Sequence, residues 1–147
     1  MITTRPATEA DQRRIVEIVR AARINPMDLK WPHFVVAVDE ATGEIVGTGQ
    51  IKTHRDGSRE MASIAVTPPY QGRGIARAII ERVLSGVSGT VYLTCISNNI
   101  PMYEKFGFRE IGEDEMPPYF RRLKRVTGVM GFLSRGDQYL AVMKRDG

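Results

Sequence analysis

Residues 63–76, Ser63-Ile64-Ala65-Val66-Thr67-Pro68-Pro69-Tyr70-Gln71-Gly72-Arg73-Gly74-Ile75-Ala76, leave the chain few choices. An alternating apolar run meets two prolines. Two glycines around an arginine then open directly into the helical spacing Ile75, Ile79, Ile80, Val83, Leu84 and Val87. A strand must therefore hand over to a helix through a glycine loop. The first amides of a helix point outward with partial positive charge, and glycines lack the β-carbon that would hold an anion away from the backbone. Arg73 adds a cation beside them. Glycines at such a turn are also ordinary loop geometry, so the spacing alone does not decide for a ligand.

Two well-known phosphate loops are excluded. A P-loop needs Lys then Ser or Thr after its last glycine, where this chain has Ile75-Ala76. The three-glycine dinucleotide fingerprint is absent, and the preceding strand belongs to an antiparallel series instead of an opening βαβ unit.

Upstream, Ile15, Ile18, Val19 and Ala22 fall on one face of a helix expected from about Glu9 to Ala22, with Thr8 and Asp11 at capping-box spacing. Asn25-Pro26 stops it. Phe34 to Val38 and Glu44 to Ile51 read as a β-hairpin, and a second reversal at His54 to Ser58 leads to a strand from Arg59 to Val66. On that strand Ala62, Ile64 and Val66 share one face, and Ser63 and Ala65 the other. Downstream come a strand at Val91 to Cys95, a short helix near Ile100 to Phe106, and a strand at Phe108 to Ile111. An amphipathic helix carrying Tyr119, Phe120, Leu123 and Met130 follows, and then a strand from Gln138 to Met143.

A chain of 147 residues with no dividing linker suits a single domain over residues 1–147. It carries neither a bilayer-length apolar run nor a secretion signal, so a cytoplasmic location and no membrane partner are expected. Cys95 is the sole cysteine and sits in the apolar run Val91 to Ile96, which reads as packed core and not a nucleophile. A net charge of +4 favours anions in general. The basic run Arg121 to Arg125 reads as a solvated helix face; it lacks the stacking aromatics of a nucleic-acid surface, so no nucleic-acid partner is expected.

Gln71-Gly72-Arg73-Gly74-Ile75-Ala76 matches the Gln or Arg, any, any, Gly, any, Gly or Ala signature of the Gcn5-related N-acetyltransferases. Ile64-Ala65-Val66 resembles that family's fourth strand, and Tyr103-Glu104-Lys105-Phe106-Gly107-Phe108 its tyrosine-bearing helix and Gly-Phe turn. The resemblance implies an α/β (α+β) fold: a mixed, mostly antiparallel sheet of six or seven strands flanked by helices and splayed between strands 4 and 5. It also implies acetyl-CoA as co-substrate. The pyrophosphate would lie on Gln71, Gly72, Arg73, Gly74, Ile75 and Ala76, and the pantetheine along Ile64, Ala65 and Val66, with Asn98 or Asn99 in reach. No metal is implied.

In such an enzyme a neutral amine attacks the thioester directly in a ternary complex, and rate comes mainly from positioning two bound reactants. An amide at Ala65 or Val66 would stabilise the oxyanion. Tyr103, at the family's tyrosine position, would protonate the departing thiolate. The base is open among Glu60, His54 and a water chain, with His54 read as solvated surface. The short connection Ser97 to Met102 and the acidic turn Glu113 to Pro118 resemble amino-acid acetyltransferases of the N-acetylglutamate synthase kind, which makes a small amine or amino acid the leading acceptor. Residues from Glu113 to Arg135 would form one wall of its site. A protein or peptide amine, a non-catalytic acetyl-CoA-binding module and a homodimeric assembly are the other readings carried forward.

Overall fold

The structure, a computed structural model, describes residues 1–129 and 138–147. The described strands are β1 (Ile2–Pro6), β2 (Phe34–Asp39), β3 (Glu44–Thr53), β4 (Arg59–Val66), β5 (Val91–Ile96), β6 (Arg109–Glu110) and β7 (Leu140–Arg145). The helices are α1 (Gln12–Ala21), α2 (Ile75–Ser85), α3 (Ile100–Glu104) and α4 (Pro118–Val129). The strands join in the order β1-β2-β3-β4-β5-β7-β6. The sheet is mixed: β1 with β2, β2 with β3, β5 with β7 and β6 with β7 are antiparallel, and β4 runs parallel to β5 with Glu60 opposite Tyr92. Seven strands flanked by helices meet the expected fold class.

Contacts divide the chain into two compact units. One holds Met1–Lys52 and Met61–Ser88; the other holds Thr53–Glu60 and Gly89–Gly147. In the first unit, Ile15, Ile18 and Val19 of α1 bury against Phe34, Val36, Val38, Ile45 and Ala65. The helix starts as foreseen. A 3-10 turn at Glu9–Asp11 carries the Thr8–Asp11 capping box, the Thr8 amide donating to Asp11 Oδ2 at 2.8 Å. Arg5 also donates to Asp11 Oδ2, at 2.7 Å, and holds the carboxyl below its usual range. Arg5 lies on β1, which was not anticipated: its five residues, Ile-Thr-Thr-Arg-Pro, are half-exposed and carry no apolar alternation.

On the opposite face of the sheet, α2 comes close to β3 because two of that strand's residues have no side chain. A β-carbon at Gly47 would meet Ile79 Cδ1 at 2.7 Å, and one at Gly49 would meet Ile79 Cγ2 at 2.6 Å. Gly47 and Gly49 thus face α2. By strand alternation, Thr48, Gln50 and Lys52 face the α1 side.

In the second unit, Ile111, Met116, Phe120 and Val142 form the core, with Tyr92 and Tyr119 packed against it. The basic run is only partly a solvated face: Arg122 and Arg125 are exposed, Arg125 pairing with Glu113 at 3.0 Å, whereas Arg121 and Lys124 are half-buried and donate to Met116 O and Leu140 O. Met130, assigned from the sequence to this helix, and residues 130–135 of the expected acceptor wall lie outside the described residues. Among the described residues no helix is long and apolar enough to cross a membrane.

Candidate functional site

The β4-to-α2 connection is built from the end of the strand outward. The Thr67 amide donates to Val46 O at 2.9 Å, and Pro68–Tyr70 makes one 3-10 turn. The Gln71 side chain then reaches back to donate to Val66 O at 3.0 Å, tying the loop to the strand. Gly72 and Gly74 have φ of 79° and 78°, the left-handed region that glycine occupies without steric cost. A β-carbon at either would meet no protein atom within 4 Å, so both positions open onto free space. Among the described residues, the amides from Gly72 to Ala76 donate to no protein acceptor. They stand at the start of the 11-residue helix α2.

Arg73 is exposed yet held: its guanidinium carbon lies 5.0 Å above the Tyr70 ring. Tyr70 is in turn fixed by donating its hydroxyl to Asp39 Oδ2 at 2.6 Å. That bond holds the Asp39 carboxyl below its usual range and raises the Tyr70 phenol. Unpaired amides, two β-carbon-free positions and a stacked arginine fit a diphosphate of the kind coenzyme A carries.

Within β4, Ser63 has φ 59°, outside the extended region of a regular strand. Two side chains of β3 support it: Thr48 donates to Ser63 O at 2.8 Å and Gln50 Nε2 to Ser63 Oγ at 2.9 Å. Ile64, Ala65 and Val66 follow this kink. Sequence alternation placed Ser63 on the correct face but carried no sign of the kink.

In the second unit, Tyr103 lies on α3, edge-on to Phe108 with ring centroids 6.3 Å apart. Its hydroxyl makes no hydrogen bond to the described residues. Burial pushes the phenol up to about 12, and the Cys95 thiol adds to the rise. Asn98 and Asn99 are exposed on the 3-10 turn that leads into α3. Cys95 is core as expected: its Sγ lies 3.8 Å from Met143 Sδ and burial pushes the thiol up to about 11.

Glu60 and His54 correct the sequence reading. Instead of a solvated turn, His54 Nε2 lies 2.8 Å from Glu60 Oε1, with side-chain exposures of only 10% and 8%. The cover on His54 is Tyr119 at the start of α4, an aromatic that the sequence reading placed on an amphipathic helix without linking it to His54. No hydrogen bond links Glu60 to Tyr103, Asn98 or Asn99 among the described residues. Gln50 and Lys52 were also missed, although Thr48, Gln50 and Lys52 place polar residues at a period of two along β3. Among the described residues no group of His, Cys, Asp or Glu is arranged to hold a metal ion.

A mixed sheet whose fourth strand feeds a glycine cradle at a helix start defines a class, the acyltransferases that take their acyl group from coenzyme A. Residues 30–110, more than half of the chain, match the acetyltransferase (GNAT) domain family. The sequence is 30% identical to the N-alpha-acetyltransferase RimI of Mycobacterium tuberculosis, over 92% of this chain and 92% of that protein. Among solved structures, N-acetylglutamate synthase from Neisseria gonorrhoeae, complexed with coenzyme A and N-acetyl-glutamate, aligns with a TM-score of 0.76 at 18% identity. That alignment covers 99% of this chain and 35% of that one, so the chain spans about a third of the synthase. The ribosomal-protein-S18-alanine N-acetyltransferase of Escherichia coli gives 0.69 at 18% identity, over 99% of this chain and 94% of that one. The chain belongs to the GNAT acetyltransferases, and it is an acetyl-CoA-dependent N-acetyltransferase.

Proposed function

We propose that this enzyme acetylates a small amine, an amino acid being the leading case, and that residues 1–147 act as one catalytic domain. The observation that supports a small acceptor is the clamp on the β3–β4 turn. The Tyr119 amide donates to Asp56 Oδ2 at 3.0 Å and the Tyr119 ring stacks on His54, so the start of α4 is fastened down over that turn. A wall held in this way suits a confined acceptor better than an open peptide groove. The fold similarity to a synthase bound to N-acetyl-glutamate points the same way.

In this reading the amides of Gly72 to Ala76 and the Arg73 guanidinium hold the pyrophosphate of acetyl-CoA, and Ile64 to Val66 bond the pantetheine, with Asn98 or Asn99 as further contacts. The acceptor arrives as an ammonium and loses a proton to Glu60, directly or through water, while His54 fixes the carboxylate. The free amine adds to the thioester carbonyl, and the oxyanion is stabilised by an amide at Ala65 or Val66. Collapse breaks the carbon–sulfur bond, the thiolate takes a proton from Tyr103, whose raised pKa keeps it protonated at neutral pH, and the second proton shed by the acetylated nitrogen restores the phenol through solvent.

A protein amino terminus is the second reading, favoured by the 30% identity to an N-alpha-acetyltransferase. Thiol release from acetyl-CoA, measured over free amino acids, simple amines and short peptides, separates the two. The leading reading requires saturation with at least one small acceptor. Turnover confined to peptides replaces it with the second.

A further inference from the structure

On the α1 side of β3 lies a polar stripe whose bonding is incomplete. Thr48 is satisfied by Ser63 O. Gln50 is fully buried, and its amide nitrogen donates to Asp28 O at 3.2 Å and to Ser63 Oγ at 2.9 Å. Its oxygen, Oε1, is buried without any partner. Two residues on, Lys52 is only 6% exposed; its ammonium donates to Met27 O at 3.2 Å. No carboxylate among the described residues lies within ion-pair distance of it. A buried acceptor without a donor and a buried cation without an anion are both unfavourable, and native proteins seldom keep either without a use.

The segment over this stripe is held by its own set of bonds. Gln12 donates to Leu29 O at 2.6 Å and accepts from the Trp31 amide at 2.8 Å, and Asn25 accepts from the Met27 amide at 3.0 Å. Asp28 is kept at φ 58°, a conformation unfavourable for a residue with a β-carbon. Its contributions to the stripe, Met27 O and Asp28 O, are both acceptors, so it supplies neither the donor that Gln50 lacks nor the anion that Lys52 lacks.

We propose that Lys52 and Gln50 form the subsite that selects the acceptor. The Lys52 ammonium binds the carboxylate of an α-amino acid, and Gln50 Oε1 accepts from an N–H of the same molecule. The two side chains leave the strand about 7 Å apart, a span that one small ligand bridges. Out of bulk water the ion pair is strong, and an acceptor without a carboxylate leaves the cation uncompensated, so the site discriminates by penalising the wrong ligand. This assignment rests on the acetyltransferase reading and narrows its acceptor to one bearing a carboxylate.

The test is a calorimetric titration of the protein saturated with coenzyme A. The ligands are N-acetyl-L-glutamate, N-acetyl-L-glutamine and N-acetyl-L-leucine, each against its own α-carboxamide. The expected result is that at least one acid binds about tenfold or more tightly than its carboxamide. Lys52→Met should remove that preference, Lys52→Arg should retain part of it, and Gln50→Leu should weaken acid and carboxamide alike. Coenzyme A affinity should not move in either Lys52 variant. Equal binding of acids and carboxamides by the wild-type protein, or no binding of any acid, overturns the proposal without reference to a variant. So does a preference that survives in folded Lys52→Met. Thiol release run in parallel separates the two layers. An acid preference with no amine-dependent release sinks the transferase reading and leaves the subsite standing, whereas release with acids and carboxamides bound alike sinks only the subsite.

Discussion

The His54 imidazole lies flat on the Tyr119 ring, with centroids 3.5 Å apart and planes 13° from parallel. Phe120 meets the same imidazole edge-on at 5.6 Å. These two aromatics cover the imidazole, whose Nε2 orients the Glu60 carboxylate from 2.8 Å. Glu60→Gln preserves a hydrogen-bonding group there and removes the basic oxygen. Turnover is expected to fall about 10²- to 10⁴-fold with acetyl-CoA affinity unchanged. Rate measurements beside cofactor titration check this, and an unaltered rate returns Glu60 to a structural role.

Gly74 gives a second test, because its added β-carbon meets no protein atom. Gly74→Val therefore costs the fold only the strain of a side chain at φ 78°, about 1–2 kcal/mol. The same atoms would stand where the phosphate approaches the loop, so acetyl-CoA affinity should fall far more than stability. Calorimetric binding together with thermal unfolding separates the two effects. Full affinity in a folded variant removes the cradle from the cofactor site.

How far the sequence could be read depended on whether a feature was local. The Thr8–Asp11 cap, the hairpin turns and the glycine loop are set by residues within a few positions of one another, and each lies where the residues placed it. β1 was not visible, because a short edge strand with Thr-Thr-Arg-Pro has no apolar period and gains its place only by pairing with β2. The burial of His54 depends on Tyr119, 65 positions later in the chain, and no window along the sequence joins them. The Ser63 kink likewise depends on Thr48 and Gln50 of the neighbouring strand. The polar alternation of Thr48, Gln50 and Lys52 was legible, but its significance lies in which groups stay unpaired.

The approach of α2 to β3 makes a packing prediction. Gly47→Ala puts a methyl 2.7 Å from Ile79 Cδ1, with Ala65 O at 3.3 Å restricting escape. A loss of about 1–3 kcal/mol is expected from overpacking. Ile79→Val deletes the offending carbon, so the double variant should lose less than the two single losses combined. Denaturant unfolding of the four proteins measures the coupling; simple additivity would mean that the helix shifts to absorb the methyl.

Tyr103 ties the chemistry to pH. A general acid must enter the reaction protonated, and an ordinary tyrosine begins to ionise near pH 10. Burial raises this phenol to about 12, so the acid form persists to higher pH than in a solvated tyrosine. With an acceptor whose amine is already neutral, the rate should hold through pH 10 and decline only as pH nears 12. Tyr103→Phe should lower kcat by about 10²- to 10⁴-fold and abolish that alkaline limb, leaving the acetyl-CoA dissociation constant little changed. A decline centred near 10, or a limb that persists in Tyr103→Phe, would assign the proton to another group and leave Tyr103 as the packing partner of Phe108.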